Sequence, residues 1–109
     1  MEPIQLILIS HLTDSGQSYQ HLRIVLQAKD GVIAPEDLKG LKLPEDIQLS
    51  EGVVLEGRAP IWLYGYLLHQ CHPAAWVGCY DPRLSGAVVV QTHTQGVSVG
   101  SVIPLSLPT

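Results

Sequence analysis

The residues of this chain that could do chemistry stand out because so little charge surrounds them. From Gly57 to Thr109, 53 residues carry only three formal charges, Arg58, Asp81 and Arg83. A solvated surface normally carries many more, so these three are candidates for function rather than solubility. The same half holds His69, His72 and His93. His69 and His72, three apart near the end of a predicted helix, lie near one helix face. Imidazoles so placed can hold a metal or exchange protons; the plain alternative is one packed in the core and one capping the helix. Gly57-Arg58-Ala59-Pro60 reads as a strand end turning into a helix. The free N–H groups of a helix start favour an anion, and the Arg58 fork suits phosphate. Alternatively, Arg58 caps a carbonyl or pairs with Glu56. In Tyr80-Asp81-Pro82-Arg83-Leu84, a strand delivers Asp81 to its carboxyl end, where open α/β sheets bind ligands. Arg83 beside it is a phosphate ligand, or the partner of Asp81 in an ordinary Asx turn. His93 closes another strand. Cys/His zinc clusters, phosphate-binding loops, dinucleotide fingerprints and Gly-x-Ser-x-Gly elbows are absent from the sequence.

The elements that must position these residues follow from the patterning. Ile4 to Ser10 reads as a first strand, Leu12 to Gln20 as a hairpin loop, and His21 to Ala28 as a second strand with Leu22, Ile24 and Leu26 on one face. Ala34 to Leu38 begins a short helix with Pro35 and acids in its first turn, and Leu41 to Leu49 is a connector. Gly52 to Glu56 is a buried strand. Pro60 then opens a helix running to Cys71 or His72, which Pro73 stops. Strands over Ala75–Tyr80, Gly86–Thr92 and Val102–Leu107 complete the chain. The strand-helix-strand stretch predicts a parallel β-α-β crossover. Such a unit places the His72 end of the helix and Asp81 at opposite ends of the following strand, so the two meet across a dimer or serve different faces. The expected architecture is α/β: one compact domain over residues 1–109, with a hairpin and connector in 1–50 and a β-α-β core in 51–109. It has a mixed sheet and one long helix. A single helix leaves one sheet face for a dimer to cover.

Bulk composition narrows the function classes. The 109 residues are 46% hydrophobic and only 15% charged, against about 25% charged in typical domains. The net charge of −4 argues against holding long duplex DNA by counterion release, but not against a short anionic ligand held by a few arginines. No apolar run is long enough for a membrane span. Met1-Glu2-Pro3 lacks the basic flank of a signal peptide, and Cys71 and Cys79 read as reduced thiols; the expectation is a cytoplasmic protein. Trp62, Tyr64, Tyr66, Trp76 and Tyr80 are core or interface residues first and base-stacking platforms second.

Three runs carry a family resemblance: Gly52-Val-Val-Leu-Glu-Gly-Arg58-Ala-Pro-Ile-Trp62-Leu-Tyr, then His69-Gln-Cys-His72-Pro, then Val77-Gly-Cys-Tyr-Asp81-Pro-Arg83 through His93. Over residues 52 to 103 the chain resembles the small stand-alone ring nucleases of type III CRISPR systems, a divergent branch of the CRISPR-associated Rossmann-fold superfamily. The resemblance implies a divergent Rossmann-like fold and an enzyme that cleaves cyclic tetra-adenylate, the second messenger of CRISPR ancillary nucleases. It also implies manganese-dependent removal of adenylates from RNA 3′ ends, short RNA as a partner, and a homodimer, with two dimers able to sandwich one ring as a tetramer. His72, Asp81 and Arg83 match the catalytic set, with His72 and Asp81 also the expected metal ligands. Arg58, His69 and His93 fall on RNA-binding positions. Competing readings are a binding module that holds the ring uncut, a manganese-dependent 3′-end exonuclease, and a subunit whose apolar half only mediates assembly.

Overall fold

Six strands and one α-helix build the protein, whose computed structural model describes residues 2–107. In chain order they are β1 (Ile4–Leu12), β2 (Ser18–Leu26), β3 (Gly52–Glu56), α1 (Ile61–Gln70), β4 (Trp76–Asp81), β5 (Gly86–Thr92) and β6 (Val102–Pro104), with a 3-10 turn at Pro35–Leu38 between β2 and β3. They form a single sheet in sequence order. β1 and β2 are antiparallel, β2, β3 and β4 run parallel, and β5 and β6 return antiparallel.

Strand alternation divides the core. On one face Leu22, Ile24, Val53, Leu55 and Val77 pack under α1. The helix buries Leu63 and Leu67, which recur at i and i+4 on its inner side. Each such leucine contributes about 1.5–3 kcal/mol by leaving water. On the other face Tyr19, Val54, Trp76 and Ala87 pack with Leu105, which follows β6. Gly52 makes that packing possible, because a Cβ there would stand 1.9 Å from Cε2 of the Trp76 indole. The Asp14 N–H, in the β1–β2 loop, donates to the Pro104 carbonyl at 3.2 Å. The two outer edges of the sheet therefore curl toward each other over this second face.

The architecture overturns the expected divergent Rossmann-like α/β fold with one long helix. The molecule is mostly sheet, and α1 is ten residues long. A Rossmann-like fold needs helices on both sheet faces, but only the β3–β4 crossover supplies one. The β2–β3 crossover is an irregular connector with one 3-10 turn, and β4 to β6 form an antiparallel meander. On the second face the segment after β6 packs over Tyr19, Val54, Trp76 and Ala87. The hairpin loop is also shorter than the polar composition suggests, since β1 runs on to Leu12 and β2 begins at Ser18. The final strand stops at Pro104 rather than Leu107. Among the described residues no helix is long and apolar enough to cross a membrane.

Candidate active site

β4 sorts the candidate residues into two groups, one at each of its ends. Its amino end follows the turn that leaves α1, and there the structure gathers His72, Gln91 and His93. The β4–β5 register sets Thr92 opposite Trp76, which brings the end of β5 back beside that turn. The Gln91 side-chain amide donates to the His72 carbonyl at 2.9 Å. This fixes the orientation of the amide and turns its oxygen toward His72 Nδ1, 3.3 Å away. An amide oxygen only accepts, so this bond places the His72 proton on Nδ1 and leaves Nε2 with a lone pair. His93 Nε2–H donates to the same His72 carbonyl at 3.0 Å, and the two rings meet edge to face with centroids 5.3 Å apart. The backbone N–H of His93 is held by the Ala75 carbonyl at 2.8 Å. All three side chains are reachable from solvent.

At the carboxyl end of β4, Asp81 and Arg83 form one unit. Asp81 Oδ1 accepts the Arg83 backbone N–H at 2.9 Å, an Asx turn. The guanidinium folds back on the same carboxylate through Nε at 3.2 Å and Nη2 at 3.0 Å. The Arg83 bonds hold the Asp81 carboxyl below its ordinary range, and Asp81 in turn raises the guanidinium. The Arg83 side chain is 88% exposed, so the fork is presented to solvent with its charge matched by a single carboxylate. Arg58 stands at the same end of the sheet, since β3 runs parallel to β4 and stops at Glu56. Gly57 makes the turn at φ +136°, and a Cβ there would lie 2.4 Å from the Ile24 carbonyl oxygen. The Tyr64 hydroxyl donates to the Gly57 carbonyl at 2.6 Å and pins the turn. Arg58 is exposed beside a cleft of about 560 Å³ that Lys29, Asp30 and Pro60 also line. Glu56 is held by Arg23 and His21 instead.

The structure thus brings His72 and His93 together, and Asp81 and Arg83 together. It does not bring His72 to Asp81 within one chain: the six residues of β4, about 17 Å of strand, lie between their ends of the sheet. His69 is exposed in the last turn of α1, where its backbone carbonyl accepts the His72 N–H at 3.2 Å. Of the aromatic residues, Trp76 is core, and the Tyr64 and Tyr66 hydroxyls are spent on the Gly57 and Leu41 carbonyls. Among the described residues no three His, Cys, Asp or Glu side chains converge to hold a metal. Sequence reasoning missed Gln91. Its signal was present: a lone amide after the apolar run Ala87–Val90, in the strand whose return places it beside His72.

Residues 26–104 match the sequence family described as CRISPR-associated protein (Cas_csx3). The chain belongs to this family. Its function is therefore CRISPR-associated. A relative from Aquifex aeolicus (strain VF5), named only "Uncharacterized protein", is 47% identical over 74 residues, covering 65% of this chain and 67% of the relative. The match to the Cas_csx3 family takes in both ends of β4, and so His72, Asp81, Arg83, Gln91 and His93 together.

Proposed function

We propose that this member of the Cas_csx3 family is a ring nuclease, binding cyclic tetra-adenylate and cutting it to end type III CRISPR signalling. The observation that carries the reading is the state of His72: exposed, held by Gln91 with its proton on Nδ1, and with Nε2 free to accept another. That is what a base for ribose 2′-OH attack requires. The 2′ oxygen attacks the adjacent phosphorus, His72 Nε2 takes its proton, and the 5′ oxygen leaves and takes up a proton from water, while His72 gives its own back to solvent. The products end in a 2′,3′-cyclic phosphate and a 5′-hydroxyl. Arg83 would balance the charge of the pentavalent phosphorane, and its exposed fork suits a phosphate.

These two duties fall at opposite ends of the sheet, so a complete site needs two copies. One copy presents its His72 end and another its Asp81–Arg83 end to the same ring. This supports the tetramer, two dimers about one ring, over a site within one chain. Arg58 and His93 would bind the flanking phosphates, and His69 would reach the ring from the end of α1. Manganese fits no site that one chain builds, because His72 and Asp81 are apart; it would have to be shared between copies, and no step here runs through it.

The test mixes two inactive chains. The reading expects H72A and D81N each to bind the ring and neither to cut it. Mixed in equal amounts, they regain activity, because about one site in four receives His72 from one copy and Asp81 from the other. A mixture as inactive as its parts, with both variants bound to the ring, refutes a site built between copies. Full turnover by H72A alone refutes its role as base.

A further inference from the structure

On the second face of the sheet, away from α1, β1 and β2 bring together three side chains that the proposed cleavage does not use. His11 stands directly across from Tyr19, and His21 is two residues further along β2 on the same face. The His11 ring lies 6.0 Å, centroid to centroid, from both the Tyr19 and the His21 rings. Tyr19 and His21 are fully buried. His11 Nε2, His21 Nδ1 and the Tyr19 hydroxyl are each buried without a hydrogen-bond partner. Buried polar groups are rarely left so, and here three orphans stand together.

His21 explains what they suit. Its Nε2 is 2.7 Å from Glu56 Oε1, and the same oxygen accepts from Arg23 Nε at 3.0 Å. A guanidinium only donates, so the Glu56 carboxylate paired with Arg23 is an acceptor. An ionised carboxylate accepts, so the His21 proton sits on Nε2, and Nδ1 is a bare lone pair buried beside a second imidazole. A carboxylate behind a histidine, with the far nitrogen free, is the second shell of a metal-ligating histidine.

We propose that His11 Nε2 and His21 Nδ1 bind one nitrogen-preferring divalent cation, zinc above all, with the Tyr19 hydroxyl as third donor and Glu56 orienting His21. Two imidazoles select zinc, copper or nickel over manganese, which favours oxygen ligands. The site lies on β1 and β2, and β2 is two strand spacings, about 10 Å, from β4. Its occupant would pin the hairpin whose loop meets β6.

The test is calorimetric titration of the metal-free protein with zinc chloride and, separately, manganese chloride. The expected result is one zinc per chain and much weaker manganese binding. H93A should bind zinc as the wild type does, E56Q about 10- to 100-fold more weakly, and H11Q at least about 10-fold more weakly. Binding unchanged in H11Q, lost in H93A, or absent from the wild type overturns the proposal, the last most directly if the three orphans are found to share an ordered water. Should H11Q not fold, imidazole nitrogen spectra of the wild-type protein decide. Zinc should shift the His11 and His21 nitrogens; shifts confined to His72 and His93 refute the site.

Discussion

Gln91 offers the sharpest test of how His72 would work. Replacing it with leucine removes both of its bonds to His72, the 2.9 Å bond to the carbonyl and the 3.3 Å bond at Nδ1. The carbonyl retains the His93 donor, so the turn should keep its shape. What is lost is the bond that favours the tautomer with Nε2 bare. A neutral hydrogen bond is worth about 0.5–1.5 kcal/mol, so its loss should lower the fraction of reactive tautomer, and with it kcat, by about 2- to 13-fold. The ring does not rest on Gln91, so KM should stay within twofold of wild type by this reasoning. Q91E should cut faster than Q91L, because a carboxylate also accepts from Nδ1. Single-turnover cleavage of cyclic tetra-adenylate by wild type, Q91L and Q91E measures this. A Q91L rate equal to wild type, or as low as that of H72A, would refute tautomer control.

Three further outcomes follow from the packing and the charges. Gly52→Ala should destabilise the protein by about 1–3 kcal/mol through overpacking against Trp76, a fall in Tm of at least about 4 °C; a Tm within 1 °C of wild type in a thermal melt would show that the indole yields freely. Tyr64→Phe removes the 2.6 Å bond to the Gly57 carbonyl and should cost about 0.5–1.5 kcal/mol in a urea titration, with weaker ring binding if Arg58 is a ligand. Acid should weaken the fold in two stages. His21 is held below the ordinary histidine value, so its contribution is full above about pH 6.5 and is lost as pH falls below it. Glu56, also held low, adds a second loss below its ordinary value of 4.5. Denaturant midpoints from pH 8 to pH 4 should therefore fall with acid in wild type, and the first stage should be absent from a folded His21 variant such as H21N.

Much of this was legible in the residues, for reasons the structure makes plain. Alternation on β2 gave Leu22 and Ile24 their face, and Pro60 and Pro73 bracketed α1 between two parallel strands. The separation of His72 from Asp81 also followed from that crossover, since a helix returns the chain to the amino end of the next strand. What was not legible is what polar residues do inside a sheet. Ser18, Tyr19 and Gln20 read as loop, yet Tyr19 is buried in β2 because the curl of the sheet gives the second face a core of its own, and Gln20, on the opposite face, is buried against Gln48 and Glu51 of the connector. The Rossmann-like expectation failed for the same cause: the segment around Leu105 takes the place that helices would fill. Gln91 and the His11–His21 pair depend on cross-strand register, which a single strand's pattern does not carry.

The sparse charge of the second half acquires a cause once the two ends of β4 are considered together. A chain that acted alone would gather base and phosphate ligand in one cleft. Here the described structure sets an imidazole with a prepared lone pair at one end and a carboxylate-matched guanidinium at the other. While the ring is absent, Asp81 neutralises Arg83. A phosphate must compete with that carboxylate for the fork, which favours a ligand that brings several phosphates to several copies at once. A cyclic oligonucleotide meets this condition and a mononucleotide does not. By the same reasoning, Asp81→Asn should strengthen ring binding although it abolishes cleavage, and equilibrium binding of the ring to D81N at two salt concentrations would show it. Weaker binding by D81N at both would mean that the carboxylate holds Arg83 in place for the phosphate rather than away from it.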